Sequence, residues 1–227
     1  MPKILEVIVT SEAEAVEAEA GGADRLELVR ALDVGGLTPD PVIVERILAA
    51  VTIPVRVMVR DEPSFSPGGA DGLHKLQQRA AEFIRMGVDG LVLGFAGNSE
   101  LDLETTRAVL SAAPTCRATF HRAFDEVVDP LLAIEQLKTI PEIDRILTSG
   151  GNGTWQERRA RLLALQAAAG PAINILVGAG ICEDGLAGLG KEQGLYEIHI
   201  GRAARVPQTV DGHVDRHQVA ALKSALA

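Results

Sequence analysis

The 227-residue sequence predicts a TIM-type (β/α)8 barrel occupying residues 1–227 as a single domain. Three observations carry this. Eight short apolar segments rich in Val, Ile and Leu alternate with helical stretches, and several are nearly continuous apolar runs, as parallel strands buried on both faces require. A weak repeat enters every second strand through Gly22-Ala23-Asp24, Gly87-Val88-Asp89, Glu142-Ile143-Asp144 and Gly194-Leu195-Tyr196, with successive entries 65, 55 and 52 residues apart. Four units of two strands and two helices close a barrel, whereas an open doubly wound sheet gives no reason for fourfold phasing. The length also suits one such barrel.

Strands are expected at 4–9, 25–29, 55–59, 90–94, 117–120, 145–148, 172–177 and 197–200. Ser11 and Glu14 have capping-box spacing, and Gly21-Gly22 closes the helix that follows. Asp40-Pro41 and Asp129-Pro130 each place an N-cap before a proline at the first helical position. Further helices are expected over 72–86, 102–113, 154–169 and 214–226. The Gly/Pro-rich stretch 61–71 follows the third strand, where a loop over the barrel mouth belongs.

Hydrophobic residues make up 47% of the chain and aromatics only 3%, so the core must be built from Ala, Leu, Val and Ile. A net charge of −9 without a basic run argues against nucleic acid or an anionic membrane as partner. Cys116 and Cys182 lack CxxC spacing, and the N-terminus has no signal-like apolar stretch, so a cytoplasmic location without disulfides is expected. Self-association into a homo-oligomer is left open.

Polar side chains near the C-terminal strand ends of a barrel converge on one mouth. Glu6 and Glu27 interrupt apolar strands, where a buried carboxylate needs a partner. Arg60, ending the third strand, is the expected partner of both. They form either a structural ion cluster or a catalytic pair with a positioning cation. His121 ends the fifth strand with Thr119 beneath it on the same face. Imidazole suits proton transfer near neutral pH, and Asp125 is placed to orient it or to bind Arg122. Thr148-Ser149-Gly150-Gly151, Gly178-Ala179-Gly180 and His199-Ile200-Gly201 end strands six to eight, where glycine lets backbone N–H groups approach an anion. The five lysines lie away from strand ends, which argues against a Schiff base. His213 and His217 read as solvated.

These segments together resemble the CutC family, long labelled copper homeostasis proteins. The resemblance rests on 5–11, 21–28, 35–39, 53–60, and above all Thr119-Phe120-His121-Arg122-Ala123-Phe124-Asp125 and Arg145-Ile146-Leu147-Thr148-Ser149-Gly150-Gly151, with a weaker match at 197–199. It implies a TIM-type barrel and a role in copper homeostasis. It also implies copper-ligand cysteines at the positions held here by Ile8 and Val29. Soft Cu(I) prefers sulfur, so copper binding by that route is doubtful here.

Three functional readings follow. One is copper handling, implied by the resemblance. The second is an isomerase, epimerase or lyase acting on a small phosphorylated or carboxylated molecule. There Glu6 or Glu27 is the base, His121 the acid/base partner and Arg60 the anion clamp. As a variant, Glu6, Glu27 and His121, with His199, hold a divalent ion. The third is a non-catalytic ligand-binding barrel with a plugged mouth.

Overall fold

A computed structural model describes residues 2–181 and 183–227. The barrel strands are β1 (Ile4–Val9), β2 (Arg25–Leu28), β3 (Val55–Met58), β4 (Gly90–Leu93), β5 (Ala118–Phe120), β6 (Ile143–Thr148), β7 (Asn174–Val177) and β8 (Glu197–Ile200). All pair in parallel with their sequence neighbours, and β1 closes the ring on β8 through Leu5↔Ile198 and Glu6↔His199. Around them lie α1 (Glu12–Ala20), α2 (Pro41–Ala50), α3 (Gly69–Met86), α4 (Leu103–Ser111), α5 (Pro130–Leu137), α6 (Trp155–Ala169), α7 (Glu183–Lys191) and α8 (Arg216–Ala225). The protein is a TIM barrel.

Strand alternation divides the side chains. Leu5, Val7, Leu26, Leu28, Val55, Val57, Leu91, Leu93 and Phe120 are buried in one large cluster with apolar residues of the surrounding helices, among them Ala15, Ile47, Phe83 and Val109. Their inward-facing neighbours make the lumen. Ile8, Val29, Met58 and Val92 form a separate small apolar cluster there, packed with Leu32. Further down, the lumen is ionic. Arg56, 0% exposed, donates to both oxygens of Asp144 at 2.7 Å and to the Thr119 hydroxyl at 2.8 Å. Asp89 accepts a further bond from Arg56. The aspartates that mark the sequence repeat at positions 89 and 144 are thus counter-ions for a lumen arginine.

The helix signals act through the expected atoms, with one change. Asp40 and Asp129 cap α2 and α5 by accepting from Val42 and Leu132. Thr154 and Glu157 form a full capping box on α6. At α1, Ser11 accepts from the Glu14 N–H, but the Glu14 carboxylate turns to Thr10 and Arg205 instead of back to Ser11. A buried arginine from the C-terminal region outcompetes the local cap. Three glycines weaken the helical signal of α7, which no sequence signal bounds. α3 begins at Gly69, earlier than expected, and the loop between β3 and α3 carries Phe65 to the mouth. His213 and His217 are exposed, as expected. Among the described residues no helix is long and apolar enough to cross a membrane.

Truncating the fully buried ring of Phe120 leaves a cavity between β5 and the helix layer. Phe120→Ala is expected to cost about 3–5 kcal/mol, measured by denaturant unfolding.

Candidate functional site

The C-terminal ends of the strands surround a cavity of about 430 Å³ whose walls include Ile8, Glu27, Met58, Arg60, Phe65, His121, Arg122, Leu147, Gly180, His199, Gly201 and Arg202. It lies directly above the lumen and is open at the mouth.

Its floor is a hydrogen-bonded triad. Strand register sets Glu6 beside Arg25 on one neighbour and beside His199 on the other. The Glu6 carboxylate, 0% exposed, accepts from Arg25 Nε and, at 2.7 Å, from His199 Nδ1. Glu27 Oε2 lies 3.6 Å from the same His199 nitrogen and has no hydrogen-bond partner. The two carboxyls therefore differ in how tightly they hold a proton. Burial opposes charge on Glu6, but Arg25 and His199 overcome it and hold Glu6 far below the usual carboxylate range. Burial dominates at Glu27; although His199 opposes the shift, repulsion from Glu6 adds to burial, and the carboxyl is pushed up to about 7. Burial works against charge on His199 also, but Glu27 and Glu6 win and raise it.

Arg60 is not the partner of these carboxylates. Its guanidinium bonds to the carbonyls of Pro63, Gly36 (3.1 Å) and Ser64 (3.3 Å) and lies over the Phe65 ring, 4.8 Å from its centroid. The loop after β3 supplies the Pro63 and Ser64 carbonyls, and the loop after β2 supplies that of Gly36. The partner of Glu6 is Arg25, which also donates to Glu197 at 2.6 Å. A sequence signal for it existed: Arg25 and Glu27, two apart on one strand, must face the same side.

His121 lines the cavity, 3% exposed, its ring tilted against Phe65 at 5.2 Å between centroids. Asp125 does not orient it. Asp125 instead accepts from Arg122 (3.1 Å), the Thr148 hydroxyl (2.5 Å) and the Ser149 N–H, tying the ends of β5 and β6 together. Burial above all, with Arg60 and Arg122 adding to it, pushes the His121 imidazole down to about 3. That environment favours the neutral ring over the imidazolium. Gly94 makes room for the ring: a Cβ there would sit 2.7 Å from Nδ1.

The remaining expected site residues divide. Gly180 and Gly201 border the cavity, with Arg202 beside them, a cation that its place after a strand-end glycine could have revealed. Thr119 is sealed below, holding Arg56. Thr148, Ser149, Gly150 and Gly151 are not on the cavity wall. They bond to Asp125 and to one another, and Arg158 and Arg161 hold the Ser149 and Gly150 carbonyls. Gly178 serves packing, since a Cβ would strike Leu147 at 2.5 Å and crowd His199 at 3.4 Å. For a cation, the donor atoms of Glu6, Glu27 and His199 lie within 4.8 Å of one another; His121 is not in that group.

The CutC family profile matches residues 3–204. The chain belongs to the CutC family. A family protein CutC from Xanthomonas axonopodis pv. citri is 34% identical over 208 residues, covering 89% of this chain and 86% of the relative. A human relative, named copper homeostasis protein cutC homolog, is 35% identical over 205 residues, covering 86% and 72%. The crystal structure of a CutC protein from Streptococcus agalactiae superposes with a TM-score of 0.78 at 26% identity, covering 88% of this chain and 98% of that one. Phosphoribosylanthranilate isomerase from Thermotoga maritima, at a TM-score of 0.62 and 12% identity, shares the fold alone.

The raised Glu27 carboxyl has a stability consequence of definite sign. The folded CutC chain holds this proton more tightly than the unfolded one. The contribution is complete below the ordinary value of 4.5 and is lost as pH rises through about 7. Relative to Glu27→Gln, the parent is expected to lose on the order of 1–3 kcal/mol between about pH 5 and about pH 8. Unfolding curves at several pH values measure this; parallel pH profiles of the two proteins contradict it.

Proposed function

We propose that this CutC-family chain is an enzyme that moves a proton on a small carboxylated or phosphorylated molecule, an isomerase, epimerase or lyase with Glu27 as base. One observation carries the reading: Glu27 lines an open cavity and its carboxyl keeps a buried oxygen without a hydrogen-bond partner, on a group whose proton affinity is matched to neutral pH. Glu6 beside it is kept anionic by Arg25, so it serves to tune Glu27 and His199. Arg60, Arg122 and Arg202 on the same walls give an anionic substrate its countercharge. An open cavity of this kind also disfavours a plugged, non-catalytic barrel.

The chemistry is testable without a known substrate. Incubating the protein in D2O with a pool of small carboxylic and phosphorylated metabolites is expected to place deuterium on carbon in at least one compound, seen by mass spectrometry. Glu27→Gln should reduce that exchange by at least about 100-fold. A pool that remains free of label, or a variant that labels it equally, ends the proposal.

Copper handling is the second reading, supported by the name of the human relative. The donors at the mouth fit Cu(I) poorly. Ile8 and Val29, at the positions where the family resemblance implies cysteine, join an apolar lumen layer. Among the described residues the only sulfur on the cavity wall is the thioether of Met58. The thiol of Cys116 precedes β5, at the opposite end of the barrel, and burial pushes it up to about 11. Glu6, Glu27 and His199 offer oxygen and nitrogen, which suit harder ions. Titration with Cu(I) under reducing conditions is expected to show no site tighter than about micromolar; nanomolar binding would restore copper as the first reading.

A further inference from the structure

We propose that His121 is a permanently neutral hydrogen-bond donor, locked in one tautomer by the backbone, and that it receives the oxygen of a substrate carbonyl as that oxygen becomes an enolate. The substrate class is then a carboxylate or phosphate ester with an oxo group beside the carbon that loses its proton. This rests on the proton-transfer reading of Glu27 and names what that transfer acts on.

The tautomer follows from one contact. His121 caps the short 3-10 turn Arg122–Glu126, and its Nδ1 accepts the Ala123 N–H at 3.2 Å. A ring nitrogen that accepts cannot carry a proton, so in the neutral ring the proton is on Nε2. Nε2 is buried without a hydrogen-bond partner, on a residue that lines the cavity. A buried donor left unpaired is costly, and an oxygen entering the cavity would satisfy it. Phe65, Phe120 and the bare face of Gly94 fix the ring plane.

Protonating the ring would set a second N–H against the Ala123 amide and add a cation close to Arg60 and Arg122. The charged and titratable groups sharing the cavity are Glu27, Arg60, Arg122, Glu126, His199 and Arg202. Burial and the two nearest arginines decide the outcome, and the ring stays neutral across the physiological range. With Nδ1 engaged and its proton affinity lowered, the ring is a poor base there, but its N–H can stabilise developing negative charge.

The step balances without another reactant. Glu27 carboxylate takes the proton from the carbon next to the carbonyl, and the C–H electron pair becomes the C=C bond of the enolate. The carbonyl π pair moves onto oxygen, which accepts the Nε2–H hydrogen bond. The proton, held on the Glu27 carboxyl, returns to the same carbon on either face as the oxygen lone pair re-forms the carbonyl, so that centre is exchanged or epimerised. His121 neither gains nor loses a proton. β2 and β5 stand three places apart in the eight-strand ring, so the two groups approach from across the lumen.

The test uses protein labelled with 15N-histidine. Long-range 1H–15N spectra from about pH 5 to about pH 8 should show His121 as the Nε2–H tautomer with no titration, assigned by its absence in His121→Gln. An Nδ1–H tautomer, or a titration midpoint inside that range, overturns the proposal. Oxalate, a planar mimic of the enolate of a 2-oxo acid, is then added. It should bind the parent protein and shift the Nε2 proton downfield. His121→Phe should weaken oxalate binding by roughly 10–100-fold, and His121→Gln, which keeps an N–H donor, by less. Equal binding by His121→Phe, or no oxalate binding by the parent, overturns the assigned substrate class. A locked His121 that responds to oxalate while Glu27→Gln still exchanges deuterium normally would remove Glu27 as base and leave this role intact.

Discussion

The Arg25 guanidinium, buried between Glu6 and Glu197, holds Glu6 as an anion at the floor of the site. Without it Glu6 would be an uncompensated anion in a site with no water access, and the group would neutralise. With it, Glu6 remains ionised and accepts from His199. Glu27 and that anion together raise His199 against its burial, and the anion adds repulsion at Glu27, whose own burial does the rest. Arg145 shares Glu197 at 2.5 Å and Arg56 takes up Asp144 and Asp89. The ionic floor is therefore cross-linked around much of the ring, and each charge on it has a partner on a different strand.

Two carboxyls on adjacent strands consequently differ in kind. Glu6 has both oxygens occupied and is a fixed anion; Glu27 keeps one oxygen free beneath the cavity. The pattern is the one by which a shared environment separates an acid from a base. The apolar layer of Ile8, Val29, Met58 and Val92 rims this floor. Its low polarity strengthens the electrostatics that divide the pair. Arginines occupy the wall above it, so a chain that is acidic overall presents positive charge at its mouth.

Most of the frame was legible in the residues. The alternation of apolar segments located every barrel strand to within a residue or two, because parallel strands buried on both faces have few other ways to read. Glu6 and Glu27 stood out because a carboxylate in such a strand is costly. Their partner was harder to find. Arg60 and Arg25 are equally basic on paper, and only the strand register puts Arg25 beside Glu6 while the loops after β2 and β3 capture Arg60 with carbonyls. The Ser11–Glu14 spacing failed for the same reason: Arg205, far along the chain, offers Glu14 two charged hydrogen bonds.

The sequence by itself determined the barrel, its family and the two carboxylates and histidines that reach its mouth, since strand periodicity and motif spacing are local properties. The tertiary structure decided which of those groups is an anion, which holds a proton near neutrality and which stays neutral. It also separated the cavity wall from the loops around Thr148–Gly151, which serve to brace it. Protonation and hydrogen bonding depend on burial and on neighbours brought from other strands, and those distances exist only once the ring has closed.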